Sequence, residues 1–289
     1  MKPALLLFVL VILLVGCQSA GKQSLASPPV AHPPSEAPSE VDSKAPRNSV
    51  TVIHVFVALC DNVNQGIVPV APSLGNGDDP HRNLYWGAAF GVKTFFTRSK
   101  DWQLLPTQTQ SSKSSSVVLE RSIFKRRDGQ VFLVAEAYRG SYIQQATLDF
   151  LAATAGAPGE TIDVSSAGKT VTLHLGGSAS LIAYVGHDGL MDFRLTSFPK
   201  KRDDKQRDAI ILACASKSYF GEALRATGAK PLLWTTNLMA PEAYVLSAAI
   251  EGWLREETDE RIRLRAAGAY NQYQNCGLQG ANKLFATGW

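Results

Sequence analysis

At 289 residues, 45% hydrophobic and 19% charged, the chain is long and apolar enough to bury a full core, which excludes a wholly disordered protein. The formal net charge is +4, and the basic residues are scattered or sit in short runs such as Lys125-Arg126-Arg127 and Lys200-Lys201-Arg202. Without interleaved aromatics these runs read as solvated loop charges and argue against nucleic-acid binding.

Lys2 is followed by an unbroken apolar run over residues 4–15, too short to span a bilayer and the right length for the apolar region of a secretion signal. The run ends at Leu14-Val15-Gly16-Cys17. This tetrapeptide resembles the lipobox of bacterial lipoproteins, which implies a signal peptide over 1–16 and acyl chains on Cys17 as the mature N-terminus. Two or more chains hold a protein stably at a membrane surface. Gln18, where an Asp is absent, implies by resemblance to Gram-negative lipoproteins an outer-membrane anchor with the protein facing the periplasm. Residues 17–48 are rich in Ser, Pro and Ala, with almost no large apolar side chains to offset the entropy of ordering, and predict a disordered spacer in which His32 is inert.

Residues 49–289 suit one α/β domain. Apolar runs predict strands at 50–59, 117–124, 131–137, 170–175, 181–185, 210–213 and 232–235. Several are continuous Val/Ile/Leu runs, as expected for strands covered on both faces. Helical patterns fall at 84–96, at 142–153 and at 242–254 after Pro241, and Thr258 caps a last helix reaching about Gln274. Such alternation predicts a mostly parallel, three-layer sheet with helices on both faces. Asp128-Gly129 marks a local hairpin turn.

Two apolar runs each deliver a reactive residue where they stop: Leu181-Ile182-Ala183-Tyr184-Val185-Gly186-His187-Asp188-Gly189 and Ile210-Ile211-Leu212-Ala213-Cys214-Ala215-Ser216. Parallel strands end on one edge of a sheet, so such endings bring a base and a thiol together from distant parts of the chain. Ser216 and Ser218 read as a small polar turn with space for substrate. A strand ending in His and Gly, followed by one ending in Ala-Cys, resembles the caspase-like cysteine peptidases, and the unit at 232–237 with its helix fits that order. The resemblance covers most of residues 49–289 in element order, but only these two short motifs carry specific residues. It implies peptide-bond hydrolysis of a peptide or protein substrate, with His187 as base, Cys214 as nucleophile and Gly189 as an oxyanion donor. It also implies that the end of the first strand lines the substrate pocket, where Asp61 would favour a basic side chain; the residues by themselves favour a strand-terminating turn at Asp61.

The chain departs from that family at Asp188, which intervenes where Gly usually follows His directly and displaces the expected N–H by one residue. Altered geometry, another role for the site and a catalytically inactive caspase-like binding module of the envelope therefore stand as alternatives, as does another Cys–His enzyme on a flavodoxin-like sheet. Cys60, Cys214 and Cys276 leave an odd count after lipidation; a Cys60–Cys276 disulfide keeps Cys214 free, and any pairing of Cys214 removes the nucleophile. His54 and His174 fall within strands and His81 on a loop. Asp78-Asp79 lacks the spacing of a calcium loop. No zinc spacing, phosphate-binding Gly loop or Gly-x-Ser-x-Gly elbow is present, and nothing indicates a cofactor.

Overall fold

The computed structural model describes residues 50–106 and 116–289; the signal peptide expected over 1–16, Cys17 and the 17–48 spacer lie outside the described residues. In chain order the strands are β1 (Thr51–Ala58), β2 (Trp102–Leu104), β3 (Val118–Arg126), β4 (Val131–Tyr138), β5 (Pro158–Ser166), β6 (Lys169–Gly176), β7 (Leu181–Val185), β8 (Asp208–Leu212), β9 (Lys230–Thr235) and β10 (Phe285–Ala286). The helices are α1 (Val92–Arg98), α2 (Ile143–Thr154), α3 (Ser216–Thr227), α4 (Ala243–Leu254), α5 (Asp259–Gln274) and α6 (Leu278–Leu284).

Eight strands form one sheet in the order β10-β9-β8-β7-β1-β4-β3-β2, with β5 and β6 paired as a separate hairpin. The run from β9 to β4 is parallel, and β10, β3 and β2 are antiparallel additions at its edges. Counted in chain order, the parallel strands β4-β1-β7-β8-β9 follow the doubly wound order 2-1-3-4-5, whose topological switch point lies between β1 and β7. The α/β class and a mostly parallel sheet between helices agree with the apolar runs in the sequence.

Strand period explains the layers. Ile53, Val55 and Val57 of β1, Ala183 and Val185 of β7 and Ile210 and Leu212 of β8 meet Val92 and Phe96 of α1, with Leu246 and Ile250 of α4 and Ile262 of α5. The alternate residues Val52, Phe56 and Ala58, with Ile182, Tyr184 and Ile211, meet Phe150 of α2, Phe220 and Leu224 of α3, and Leu173 and Leu175 of the β5–β6 hairpin. Both faces are covered, so β1 and β7 bury every residue; β7 reads as an unbroken apolar run and β1 as one interrupted by His54.

Three local readings change. The helix expected over 84–96 is a helix only at Val92–Arg98. Before it, Trp86, Gly87 and Ala88 all donate to Asn83 O, in turns so tight that a Cβ on Gly87 would meet the His81 carbonyl oxygen at 2.0 Å. The polar segment Pro158–Ser166 is a strand, and Ser216 and Ser218 belong to helix α3 rather than to a turn. Thr258 caps α5 as its sequence predicts, accepting from Arg261 N.

Candidate active site

His187 and Cys214 leave neighbouring strands at matching places. Val185 of β7 pairs with Leu212 of β8, and each reactive residue follows its register partner by two positions. Both therefore emerge on the carboxyl edge of the sheet, beside the switch point at which doubly wound sheets form a crevice. Gly186, whose N–H closes the last bond to Leu212 O at 3.1 Å, has φ +150° and bends the chain there. A Cβ at this position would meet Ala58 O at 2.7 Å, so the bend needs glycine.

Cys214 sits on a strand-to-helix turn. Ala215, next to it, adopts the left-handed conformation with φ +47° and ψ +32° and caps α3. A buried clamp holds this strained residue in place. Ser216 Oγ donates to Ile211 O at 3.0 Å and accepts from Thr235 N at 3.0 Å, while Thr235 Oγ1 accepts from Ser216 N at 3.1 Å and donates to Ala213 O. Ala215 N adds a bond to Asn237 O at 2.9 Å. Ser216 is fully buried with its hydroxyl committed to this clamp, so the substrate contact expected of it gives way to a structural role.

The thiol rests on the backbone of Met239, donating to Met239 O at 3.5 Å and accepting from Met239 N at 3.4 Å. Burial raises the thiol above its ordinary ionisation range, the Met239 N–H opposes this, and the negative charge of Asp188 pushes it up further. His187 turns elsewhere. Its Nε2 lies 2.8 Å from Asp192 Oδ2, and the same oxygen accepts Gly66 N at 2.8 Å. No hydrogen bond joins His187 to Cys214 among the described residues.

Asp188 is buried without exposure. Its Oδ1 accepts from Leu190 N at 3.0 Å, and its Oδ2 has no partner among the described residues. Burial lifts its carboxyl to about 7, against the Leu190 hydrogen bond, with Asp192 adding in the same direction. Gly189 opens the short 3-10 turn Gly189–Met191 and packs so closely under the Phe193 ring that a Cβ would meet it at 2.6 Å. The amide of Gly189, the oxyanion donor expected from the sequence, and that of Cys214 have no backbone acceptor among the described residues.

Asp61 is buried at the end of β1, and its carboxylate closes a turn. Oδ1 accepts Val63 N at 2.9 Å and Asn64 N at 3.1 Å, and Oδ2 accepts Asn64 Nδ2 at 2.8 Å. Of its two sequence readings, pocket residue and strand-ending turn, this geometry is the second. Cys60 and Cys214 carry free thiols, so the Cys60–Cys276 disulfide that the odd count allowed is not formed. Burial drives Cys60 up to about 12, against its hydrogen bond with Tyr85 and helped by Asp61, so it is an inert core residue. The Tyr85 hydroxyl lies near both Cys60 and Cys214. Asp192 and Met239 were not singled out in the sequence; an Asp five residues beyond a candidate base was the only available signal.

A cavity of about 220 Å³ opens between β1, β4, α2 and the β5–β6 hairpin. Gly176 N donates to His54 Nδ1 at 3.2 Å, which places the ring proton on Nε2, 3.0 Å from Glu136 Oε2. Arg121 bonds Glu136 Oε1 and reaches Glu160 at 2.7 Å. These groups satisfy one another. No group of three or more His, Cys, Asp or Glu among the described residues is arranged to hold a metal ion, and Asp78 pairs with Arg139.

Comparison with protein-family models, with curated proteins and with solved structures finds no match to this chain.

Proposed function

We propose that residues 49–289 form a caspase-like cysteine peptidase module that is held in an unassembled resting state. The observation supporting this most directly is the matched exit of His187 and Cys214 from adjacent parallel strands, with the thiol on a strained strand-to-helix turn. In the reaction, His187 takes the proton of Cys214 as the sulfur attacks the carbonyl carbon of a peptide bond. The oxyanion forms within reach of the Gly189 and Cys214 amides. The C–N bond breaks as His187 delivers a proton to the leaving amine, and water then hydrolyses the thioester. Assembly requires the His187–Asp192 pair to close on the thiol, and the Gly66 N–H bond to Asp192 is what opposes that movement.

The expected setting is a cell-envelope lipoprotein, anchored through acylated Cys17 and facing the periplasm, with peptides or proteins as substrates. Among the described residues no helix is long and apolar enough to cross a membrane. The test is hydrolysis of a peptide library by the purified full-length chain. Cys214→Ala is expected to abolish cleavage while keeping the folded near-ultraviolet spectrum, and unchanged cleavage would overturn the assignment.

A non-catalytic binding module of the same architecture is the second reading. It is favoured by one specific observation, that His187 is bonded to Asp192 while the thiol is held by Met239 and raised rather than activated. Its signature is a folded protein that binds an envelope peptide and never cleaves it.

A further inference from the structure

The basic run Lys200-Lys201-Arg202 lies in the loop that leads into β8, at the amino edge of the sheet and opposite the edge that carries His187 and Cys214. Helix α3 leaves the carboxyl edge after Cys214 and returns to the amino edge. There Lys201 N donates to Ala226 O at 3.0 Å and Lys230 N donates to Arg207 O at 2.8 Å. β10 runs antiparallel to β9, so the residues after it head for the same edge, and Gly288 N donates to Pro231 O at 2.8 Å. This brings Trp289 beside Arg225, whose guanidinium lies 4.1 Å from the ring centre. The Trp289 indole is 47% exposed, although its ring meets the buried Trp234 edge to face at 5.3 Å.

Residues 200–207 carry five basic side chains and two acids. Both acids are taken, Asp203 by the buried Arg207 and Asp204 by Lys201. Lys200, Arg202 and Arg225 are exposed and form no ion pair among the described residues. Glu222, one turn before Arg225 on α3, offsets only one of these charges. A half-exposed indole among unpaired cations matches the boundary of an anionic bilayer, where tryptophan sits at headgroup depth and Lys and Arg meet the negative surface potential. β1 also begins at the amino edge, so the chain from Cys17 enters the domain on this same side.

We propose that this amino-edge face, centred on Trp289 and Arg225, is a docking surface for anionic phospholipid headgroups. Its setting comes from the envelope-lipoprotein reading, which it extends: a lipid on Cys17 holds the domain near a bilayer without orienting it, and the patch supplies the orientation. With the amino edge seated on the membrane, the opposite edge turns His187 and Cys214 toward the aqueous side, where a peptide can reach them. The attraction of the cations is screened by salt, while the indole supplies the apolar contact.

The test is tryptophan quenching by brominated phospholipid in the full-length chain, incorporated into vesicles of phosphatidylcholine alone or mixed with phosphatidylglycerol. In the mixed vesicles the expected loss is about a fifth of the emission, the share of one interfacial tryptophan among five. The loss is expected to vanish in pure phosphatidylcholine, in Trp289→Phe, and as salt is raised from about 0.05 M to about 0.5 M. Lys200→Glu, Arg202→Glu and Arg225→Glu combined are expected to abolish it while the near-ultraviolet spectrum stays folded; should that variant not fold, the salt series carries the same criterion. Equal quenching in the two vesicle types, or quenching kept in W289F, overturns the docking surface. Suppression by inorganic phosphate at matched ionic strength also overturns it, in favour of a discrete anion pocket. The mass of the N-terminal peptide separates this inference from the lipoprotein reading. Acylated Cys17 with no extra quenching in the anionic vesicles keeps the anchor and removes the docking surface. Such quenching in an unacylated chain keeps the docking surface and removes the anchor.

Discussion

His187 Nε2 and Asp192 Oδ2 lie 2.8 Å apart, and this contact fixes how the imidazole can serve the thiol. An ionised carboxylate is acceptor-only, so the bond holds the proton on Nε2 and leaves Nδ1 as the basic nitrogen. Asp192→Asn offers either an acceptor or a donor and releases that choice. In the peptidase reading, cleavage by D192N is expected to fall about a hundredfold, the size of a lost general-base contribution, with binding little changed. A kcat/KM equal to the wild type would show that Asp192 does not set the tautomer.

The His54–Glu136–Arg121 network predicts an acid-dependent component of stability. Burial alone raises the Glu136 carboxyl, but the His54 hydrogen bond and the Arg121 guanidinium more than offset it and bring it from 4.5 to about 2. A carboxyl depressed in the folded state stabilises fully above its unfolded value and loses that contribution as pH falls from about 4.5 through about 2. The difference corresponds to roughly 3 kcal/mol. Urea denaturation at pH 7 and pH 2.5 is expected to show a large loss in the wild type. Glu136→Gln, already destabilised at pH 7 by loss of the Arg121–Glu136 ion pair, is expected to show a much smaller pH difference. Equal pH sensitivity in the two proteins would refute the network's role.

How far the sequence anticipates this molecule depends on the physics of each segment. Strands β1, β7 and β8 were legible because burial on both faces favours near-continuous apolar runs, and the ends of β7 and β8 located His187 and Cys214. Helix α3 was not, because its first turn is Ser-Lys-Ser and its burial rests on a few positions such as Phe220 and Leu224. Strand β5 escaped because it pairs in a separate, mostly exposed hairpin that leaves Gly159 and Glu160 in solvent. The contacts deciding the resting state, Gly66 with Asp192 and Met239 with Cys214, span 126 and 25 residues. They rest on backbone N–H and C=O groups that every sequence carries, so no residue pattern announces them.

Asp188 predicts the opposite pH trend from Glu136. Its carboxyl is raised from 3.8 to about 7, so the penalty is absent below the unfolded value and stability falls as pH rises from about 4 through about 7. The full cost is on the order of 4 kcal/mol for so buried a group. Asp188→Asn is therefore expected to melt near the wild-type temperature at pH 4 and well above it at pH 8. A melting difference that stays constant across this range would show that Asp188 keeps an ordinary ionisation in the folded protein.

The turn beneath the nucleophile predicts a trade between stability and reactivity. Ala215 adopts φ +47°, a conformation that costs a residue with a Cβ roughly 1–2 kcal/mol and costs glycine little. The Ser216–Thr235 clamp holds it there, and such locally imposed strain clusters where a reactive side chain must be presented. Ala215→Gly is expected to raise stability in urea by about 1 kcal/mol, a gain limited by the greater freedom of glycine in the unfolded chain. Ala215→Val is expected to lower stability by more than A215G raises it, because a β-branched side chain tolerates this region worst. If A215G gains stability and also loses thiol reactivity, the strain is maintaining the position of Cys214. Retained reactivity would mean that the clamp alone is sufficient, and a destabilised A215G would show that the turn is not strained at all.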